Sequence, residues 1–357
     1  MSIVEIARPV APAPVDAAPV AWTQRIHPAA AVVAVILLIM PLLVNGFILF
    51  QIFSWAYILG MIGLSLMFLA GYGGMVSLAQ MTIAGFSGYM VAIFGVSGLT
   101  HLSLGWPWWL VAPMALALAT VFGTITGALA VRTTGIYTIM ITLAIASAFY
   151  YFVNQNYAIF NGHTGINSIA TPNFWGVDWR SPIPFYYVTL GFAAICYWAA
   201  GYLARAPFGL ALQGVRDNPR RMAALGFNVN AHRVAAYVFA SLVAAIAGIL
   251  LVWSNGQISP GSVSVDNAID ILVIAVVGGI SRPIGPFIGA LIFVILRTFA
   301  LDFLVAIGLD GNRFRLLIGL GFLVVVFWSP DGVIGLWTRW RNRGLSSRNA
   351  APGGGHG

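Results

Sequence analysis

Arginine and helix-capping residues are concentrated in one polar stretch, residues 205–233, which separates two long apolar runs. Asn218 is a good N-cap, Pro219 suits the first helical position, and Gly226 can adopt the left-handed conformation that ends a helix. The spacing predicts a two-turn helix over 219–225, about 10 Å long. A short, defined helix on a basic loop indicates a docking element for a partner.

The predicted docking element comprises Arg216, Asp217, Asn218, Pro219, Arg220, Arg221, Met222, Ala223, Ala224, Leu225 and Gly226. An alternative is that its arginines anchor the loop to lipid headgroups, since basic residues collect beside the cytosolic face of a membrane. The two roles are compatible, and the discrete cap and stop favour docking.

Two glycine-rich breaks interrupt the apolar sequence, at 71–88 and 278–289. Gly and Pro at this density interrupt helices, and the freed backbone groups then need partners at membrane depth. Breaks in two halves of a transporter indicate a substrate path near the bilayer midplane. The candidate path residues are Tyr72, Gly73, Gly74, Ser77, Gln80, Thr82, Gly278, Gly279 and Gly285. The alternatives are close helix packing for the glycines and bonds between helices for the three polar side chains.

Few ionisable residues lie within the apolar segments. Arg297 is well inside one of them, and Asp270 and Asp302 are its candidate partners. A charge within a membrane needs a partner, and we favour a structural ion pair over a role in transport. The five histidines have no metal-ligand spacing, and the sequence contains neither a Ser-His-Asp order nor paired carboxylates in one motif. We therefore expect no enzyme active site, no metal centre and no cofactor in this chain.

The composition is that of a membrane protein, because 60% of the residues are hydrophobic and 7% are charged. We predict an all-α fold: a polytopic integral membrane protein with about 8–10 membrane segments, some broken or re-entrant. The chain has no Lys, which excludes a P-loop and a Schiff-base lysine. The net charge of +8 does not indicate nucleic-acid binding, since the arginines flank apolar segments. The single cysteine, Cys196, is expected to be a packing residue.

Hydropathy divides the chain into a disordered tail of residues 1–28, a membrane domain of residues 29–338 and a second tail of residues 339–357. The apolar runs lie at about 29–50, 52–71, 81–98, 108–131, 135–153, 184–204, 234–253, 268–280, 284–304 and 314–332. The run at 268–280 is too short to cross a bilayer core of about 30 Å as a helix. It is therefore a candidate half-buried or re-entrant segment.

Ten crossings place both termini and the 205–233 loop on the cytosolic side. Most arginines then lie in the cytosol, as the positive-inside rule requires. The largest external feature is loop 154–183. Trp175 and Trp179 in this loop are expected to act as interface anchors, with contacts to a partner as the alternative.

The motifs resemble those of the permease subunits of ABC importers for branched-chain amino acids, in particular the longer of the two paired permeases. The resemblance covers residues from about 30 to 338. Residues 63–90 resemble the pattern G-L-x-L-x-x-G-Y-x-G-x-x-S-L-G-H-A-A-F, and residues 131–145 resemble R-x-x-G-x-Y-x-x-x-x-T-L-A. The other matching segments are 215–226, Ser259-Pro260, 278–289 and 329–332.

Three departures from the family pattern concern the substrate more than the fold. Gln80 stands where the family usually has His, residues 161–167 replace a T-G-G-x-x-G-I sequence, and Arg282-Pro283 interrupts the second break. Branched-chain or other small hydrophobic amino acids are the first expectation. Urea, short amides and aromatic acids, which related permeases carry, remain alternatives. A stand-alone secondary transporter or channel is the competing class.

The resemblance implies a set of partners in a bacterial inner membrane. A second homologous permease would lie beside this chain, and two cytosolic ATPase subunits would hold ATP and Mg²⁺. The arginines of the docking element would pair with acidic groups of the ATPase, and Met222 and Leu225 would fill its apolar groove. A periplasmic binding protein would deliver the solute to the external loop. Its candidate contacts are Asn161, His163, Thr164 and Asn167.

Overall fold

The computed structural model describes residues 28–98, 103–174 and 177–306. The predicted tails (apart from Pro28), the predicted span at 314–332 and Trp175 lie outside these residues, and so does the side chain of Asp302. The described chain divides into two units, with the boundary between Val44 and Asn45. The first unit contributes one described helix, α1 (Pro28–Leu43), with Pro41 inside it.

The described part of the second unit is a bundle of helices. Its helices are α2 (Gly46–Ile48), α3 (Trp55–Met67), α4 (Gln80–Phe94), α5 (Trp108–Ala130), α6 (Ile136–Gln155), α7 (Tyr157–Phe160), α8 (Pro182–Arg205), α9 (Pro207–Asp217), α10 (Pro219–Ala224), α11 (Val229–Asn255), α12 (Val265–Gly278) and α13 (Gly285–Ala306). Helices α2 and α3, with π-helical turns at Leu49–Ser54 and Phe68–Tyr72, form one continuous helix, Gly46–Tyr72.

Among the described residues, five helices are long and apolar enough to cross a membrane. They are Gly46–Tyr72, Trp108–Ala130, Ile136–Gln155, Pro182–Arg205 and Val229–Asn255, and shorter apolar helices lie at Ala34–Leu43, Gln80–Phe94 and Gly285–Phe299. Helix α12 has 14 residues, or about 21 Å, which agrees with the expectation of a segment too short to span. The predicted polytopic α-helical architecture is confirmed.

A small hairpin departs from the all-α prediction. Strands β1 (Asn173–Phe174) and β2 (Val177–Asp178) pair antiparallel in the connection between α7 and α8. Two-residue strands carry too little periodicity to be recognised in a sequence, and this hairpin lies within the loop predicted at 154–183.

Helices α3, α4 and α11 form the buried centre of the bundle. Ile58, Met61 and Leu64 of α3 are fully buried, and α11 packs closely on α4 where small residues meet. A Cβ added at Gly248 of α11 would lie 1.9 Å from the carbonyl oxygen of Ala84. Such close backbone approach is typical of helices in membranes, where packing rather than a hydrophobic drive holds neighbours together.

Contacts identify the two ends of this bundle. At one end, the α7–α8 connection packs on the α11–α12 connection, where Ile166 and Ile258 form an antiparallel bridge. We call this the loop end. At the other end, α9 and α10 lie beside the segment that follows α3, because Arg216 contacts Gly71. We call this the α10 end.

Candidate functional site

The predicted two-turn helix is present as α10, and its ends are formed by local hydrogen bonds. The side-chain oxygen of Asn218 accepts a hydrogen bond from the backbone N–H of Arg221 at 3.0 Å. At the other end, Gly226 has φ +89° and donates to Ala223, while Phe227 donates to Met222. These two bonds are the Schellman arrangement that ends a helix. The helix is therefore set by its own sequence.

One face of α10 is exposed and the other packs on α9. Arg220, Arg221 and Leu225 are exposed, and Leu225 keeps 67% of its surface accessible. Met222 is half-buried, since a Cβ added at Gly214 of α9 would lie 2.9 Å from its Sδ. Met222 therefore packs against α9 and keeps part of its surface exposed.

Arg216 points back into the chain. Its guanidinium Nη1 donates to the backbone carbonyl of Gly71, and its Nε donates to the carboxylate of Asp217 at 2.9 Å. The aliphatic part of its side chain lies over Gly74, where an added Cβ would be 2.6 Å from the Arg216 Cγ. The sequence placed Arg216 among the docking residues, but it gave no signal of this contact with the first glycine-rich break.

The two glycine-rich breaks meet at the α10 end. The continuous helix ends at Tyr72. The backbone N–H groups of Gly73 and Met75 both donate to the carbonyl of Leu69, and Gly74 has a φ of +66°. A Cβ added at Gly71 would lie 2.5 Å from the carbonyl oxygen of Ile280 in the second break. The two breaks therefore form one junction of irregular backbone.

The three polar candidate residues within the first break are fully buried. Ser77, Gln80 and Thr82 have no exposed surface. The Oε1 of Gln80 accepts from Ser65 Oγ of α3 at 3.1 Å, which is a bond between helices. Among the described residues, Gln80 Nε2 and Thr82 Oγ1 find no hydrogen-bond partner. The Oε1 atom of Gln80 therefore makes a hydrogen bond between helices, whereas its Nε2 atom has no partner among the described residues.

The glycines of the second break pack against each other. A Cβ added at Gly278 would lie 2.0 Å from the carbonyl oxygen of Gly285, and Gly279 takes φ 110°. These contacts hold α12 and α13 backbone to backbone at their turn. Close packing of this kind is the alternative role that the sequence allowed for these glycines, beside lining a substrate path.

A cavity of about 220 Å³ lies between α3, α11, α12 and α13. The glycines of the two breaks do not line it. It is lined by Trp55, Leu59, Met81, Leu251, Asn255, Ser259, Gly261, Ser262, Asn267, Asp270, Ile271, Ile274, Phe293 and Arg297. None of the nine candidate path residues is among them. Asp270 and Arg297 line the same cavity, whereas the side chain of Asp302, the other candidate partner of Arg297, lies outside the described residues.

The candidate external contacts form a folded turn at the loop end. The amide of Asn161 donates to the carbonyl of Gly165 at 2.6 Å, and Thr164 Oγ1 donates to the Asn161 carbonyl at 2.8 Å. His163 Nδ1 lies 3.3 Å from Asn154 Oδ1. His163, Thr164 and Asn167 are exposed. The turn thus holds three polar side chains at the surface in a fixed arrangement.

Comparison with known proteins adds a family match over most of the chain. A model of the branched-chain amino acid transport system / permease component family matches residues 48–326. The high-affinity branched-chain amino acid transport system permease protein LivM of Escherichia coli (strain K12) is 22% identical over 77% of this chain. That alignment spans 65% of the length of the relative.

Two further relatives differ in what their names say they carry. The probable branched-chain amino acid transport permease protein LivM of Methanocaldococcus jannaschii is 24% identical over 62% of this chain and 67% of its own length. The ribose import permease protein RbsC of Haemophilus influenzae is 24% identical over 70% of this chain and 76% of its own length. No solved structure matches this chain.

Proposed function

Since the chain belongs to the family of branched-chain amino acid transport system permease components, we propose that it carries branched-chain or other small hydrophobic amino acids as a subunit of an ATP-driven importer. Members of this family are transport subunits rather than enzymes, and this chain is a multi-pass membrane protein. The observation that carries the proposal is α10, a capped helix that presents two arginines at one end of the bundle.

The exposed face of α10 is suited to docking on a cytosolic ATPase subunit. Arg220 and Arg221 are exposed and can form charge-assisted bonds with carboxylates. Leu225 supplies apolar area beside them. Two such ATPase subunits, which would hold ATP and Mg²⁺, would serve this chain and a second permease subunit. In this proposal the α10 end faces the cytosol of a bacterial cell, with the chain in the inner membrane, as the placement of arginines favours.

The contact between Arg216 and Gly71 provides a route from the ATPase to the membrane. Asn218 caps α10, and Arg216 lies two residues before it. Movement of α10 on ATP binding would therefore pull on the Arg216 side chain and on the junction of the two breaks. Irregular backbone bends more readily than a continuous helix, since fewer intrahelical bonds resist it. The proposed step is a change in the tilt of α3 and α4 around that junction.

The loop end would receive the solute from a periplasmic binding protein. His163, Thr164 and Asn167 are exposed there, and the bridge between Ile166 and Ile258 ties their turn to the connection that follows α11. Docking at this turn would therefore displace the C-terminal end of α11. That end also borders the cavity, through Asn255.

The test is uptake of labelled leucine into proteoliposomes that hold this chain with its co-encoded permease and ATPase subunits. We expect uptake to require ATP inside and binding protein outside, and to be competed by valine and isoleucine. An ATPase variant that binds ATP without hydrolysing it is the control. Uptake competed instead by ribose, urea or an aromatic acid would keep the importer and change its substrate. Transport by this chain alone without ATP would overturn the proposal in favour of a secondary transporter or channel.

A further inference from the structure

The N-terminus of α4 lies inside the bundle. Helix α4 has 15 residues and follows the N-cap residue Ala79, whose side chain makes no cap hydrogen bond. Its first residue, Gln80, bonds to Ser65 of α3 at 3.1 Å. Ser65 lies about two turns before the end of the continuous helix Gly46–Tyr72, or roughly 10 Å along the axis. Helix α4 therefore starts at membrane depth, rather than at the loop end or the α10 end.

The first turn of α4 contains hydrogen-bond donors that lack acceptors. The first N–H groups of a helix have no partner within the helix, and a side chain usually caps them. In α4 these groups belong to Gln80, Met81 and Thr82, which are buried. The side-chain atoms Gln80 Nε2 and Thr82 Oγ1 are buried as well and have no hydrogen-bond partner among the described residues.

Tyr237 of α11 brings a further donor to this end of α4. Its hydroxyl lies beside Ser77, and the Oγ of Ser77 accepts from the N–H of Ala79 at 3.4 Å. Tyr237 is fully buried, and its hydroxyl forms no hydrogen bond of good geometry within the described part of the chain. Buried polar groups in proteins nearly always have partners. Unpartnered donors from two helices at one place therefore indicate a ligand site.

We propose that the N-terminus of α4, together with Gln80 Nε2 and the Tyr237 hydroxyl, binds the carboxylate of the transported solute. The positive end of the helix dipole and its free N–H groups favour an anion, and N–H donors form strong bonds with a carboxylate. The inference rests on the proposed transport function and restricts the solute to amino acids and other carboxylic acids. Ribose and urea have no carboxylate and would leave these donors poorly paired.

The space for the rest of the solute adjoins this end of α4. Met81, the second residue of α4, lines the cavity of about 220 Å³ together with the apolar side chains of Leu59 and Ile274. Apolar surface gains free energy when it leaves water, so this wall suits the aliphatic side chain of a branched amino acid. Gln80 and Tyr237 are fully buried, so the solute reaches them when the helices around them move apart during transport.

The experiment measures equilibrium binding of labelled leucine to the purified permease–ATPase complex in nanodiscs. Two competitors divide the ligand: α-ketoisocaproate keeps the carboxylate, and leucinol replaces it with a hydroxymethyl group. In the wild type we expect leucinol to bind about tenfold or more weakly than leucine, and α-ketoisocaproate to displace leucine better than leucinol does. Gln80→Met, which removes the donors but keeps the length, should weaken leucine by about tenfold while leucinol binds as before. Tyr237→Phe should have the same selective effect, several-fold in size.

Two control variants remove hydroxyls that the site does not use. Ser65→Ala deletes the partner of Gln80 Oε1 but leaves Nε2 in place. Ser241→Ala deletes a buried hydroxyl one turn after Tyr237 on α11, where a Cβ added at Gly123 of α5 would lie 2.0 Å from the Ser241 Oγ. Both variants should keep the wild-type ratio of leucine to leucinol affinity. That ratio separates ligand contact from misfolding, because a misfolded site would lose both ligands.

Four outcomes would overturn the site. They are a wild-type affinity ratio in both Gln80→Met and Tyr237→Phe, equal loss of leucine and leucinol in Gln80→Met, a ratio lowered as strongly by Ser65→Ala as by Gln80→Met, and no saturable leucine binding. In each case ATP-dependent leucine uptake by the wild-type complex would keep the proposed function. ATP-driven uptake of ribose or urea in place of leucine would also overturn the site while keeping an importer. Absence of any ATP-driven uptake, with the binding pattern intact, would instead reject the importer and leave the site.

Discussion

The guanidinium of Arg216 donates a hydrogen bond to the backbone carbonyl of Gly71, a residue 145 positions earlier in the chain. Arg216 also covers Gly74, and Gly71 itself contacts Ile280. One side chain therefore joins the segment before α10 to the junction of the two glycine-rich breaks. This relationship separates Arg216 from Arg220 and Arg221, whose side chains are exposed beside it.

Replacing Arg216 should uncouple ATP hydrolysis from uptake. In Arg216→Gln the contact with Gly71 is weakened while the exposed face of α10 is unchanged, so the ATPase subunits should still assemble. We expect the ratio of leucine imported to ATP hydrolysed to fall several-fold, and Arg216→Lys to restore part of it, since an ammonium lacks the guanidinium fork. The measurement is the coupled ratio in proteoliposomes. Loss of the ATPase subunits from the Arg216→Gln complex would assign Arg216 to docking instead.

Reversing the charge of Arg220 and Arg221 together should release the ATPase. The double variant R220E/R221E places two carboxylates where the proposal requires cations, and like charges repel across an interface. The chain should still insert in the membrane, because both residues are exposed. Co-purification of the ATPase subunits is the measurement, with Arg132→Glu, an exposed arginine after α5, as control. Normal co-purification and uptake by the double variant would contradict the docking role.

Removing the cap of α10 should loosen the helix without changing its surface. Asn218→Ala deletes the acceptor for the Arg221 N–H, at a cost of about 1 kcal/mol, whereas Asn218→Asp keeps an acceptor. Gly226→Ala should act similarly, because φ +89° is strained for any residue with a Cβ. We expect faster hydrogen exchange in 219–224 for both destabilised variants. Exchange in Asn218→Ala as slow as in Asn218→Asp would show that packing on α9 alone holds the helix.

Close packing of α11 on α4 gives a stability prediction with an internal control. Gly248→Ala would place a Cβ 1.9 Å from the carbonyl oxygen of Ala84, whereas Gly201→Ala on α8 would meet nothing within 4 Å. Overpacking costs about 1–3 kcal/mol, so the Tm of Gly248→Ala in detergent should fall. Gly201→Ala should leave the Tm close to that of the wild type. Equal Tm values for the two variants would mean that the helices separate easily at this point.

Local sequence determined the membrane class and the α10 helix. Composition and hydropathy identify a polytopic α-helical protein, because a bilayer requires long apolar helices. Asn218 and Gly226 act on backbone groups a few residues away, so the cap and the stop are visible without tertiary information. The short length of α12 was predicted for the same reason, since it follows from a count of apolar residues.

Only the tertiary structure decided where the side chains point. Met222 packs on Gly214, a contact that the sequence did not indicate. Gly278 packs on Gly285, which is one of the two alternatives that the sequence left open. Asp270 and Arg297 line one cavity, a proximity that their separation in the sequence does not show. In a membrane protein, lipid and core are both apolar, so hydrophobicity does not reveal which helix face is buried. Arg216 and Gly71 are 145 positions apart in the sequence, so no local pattern encodes their contact.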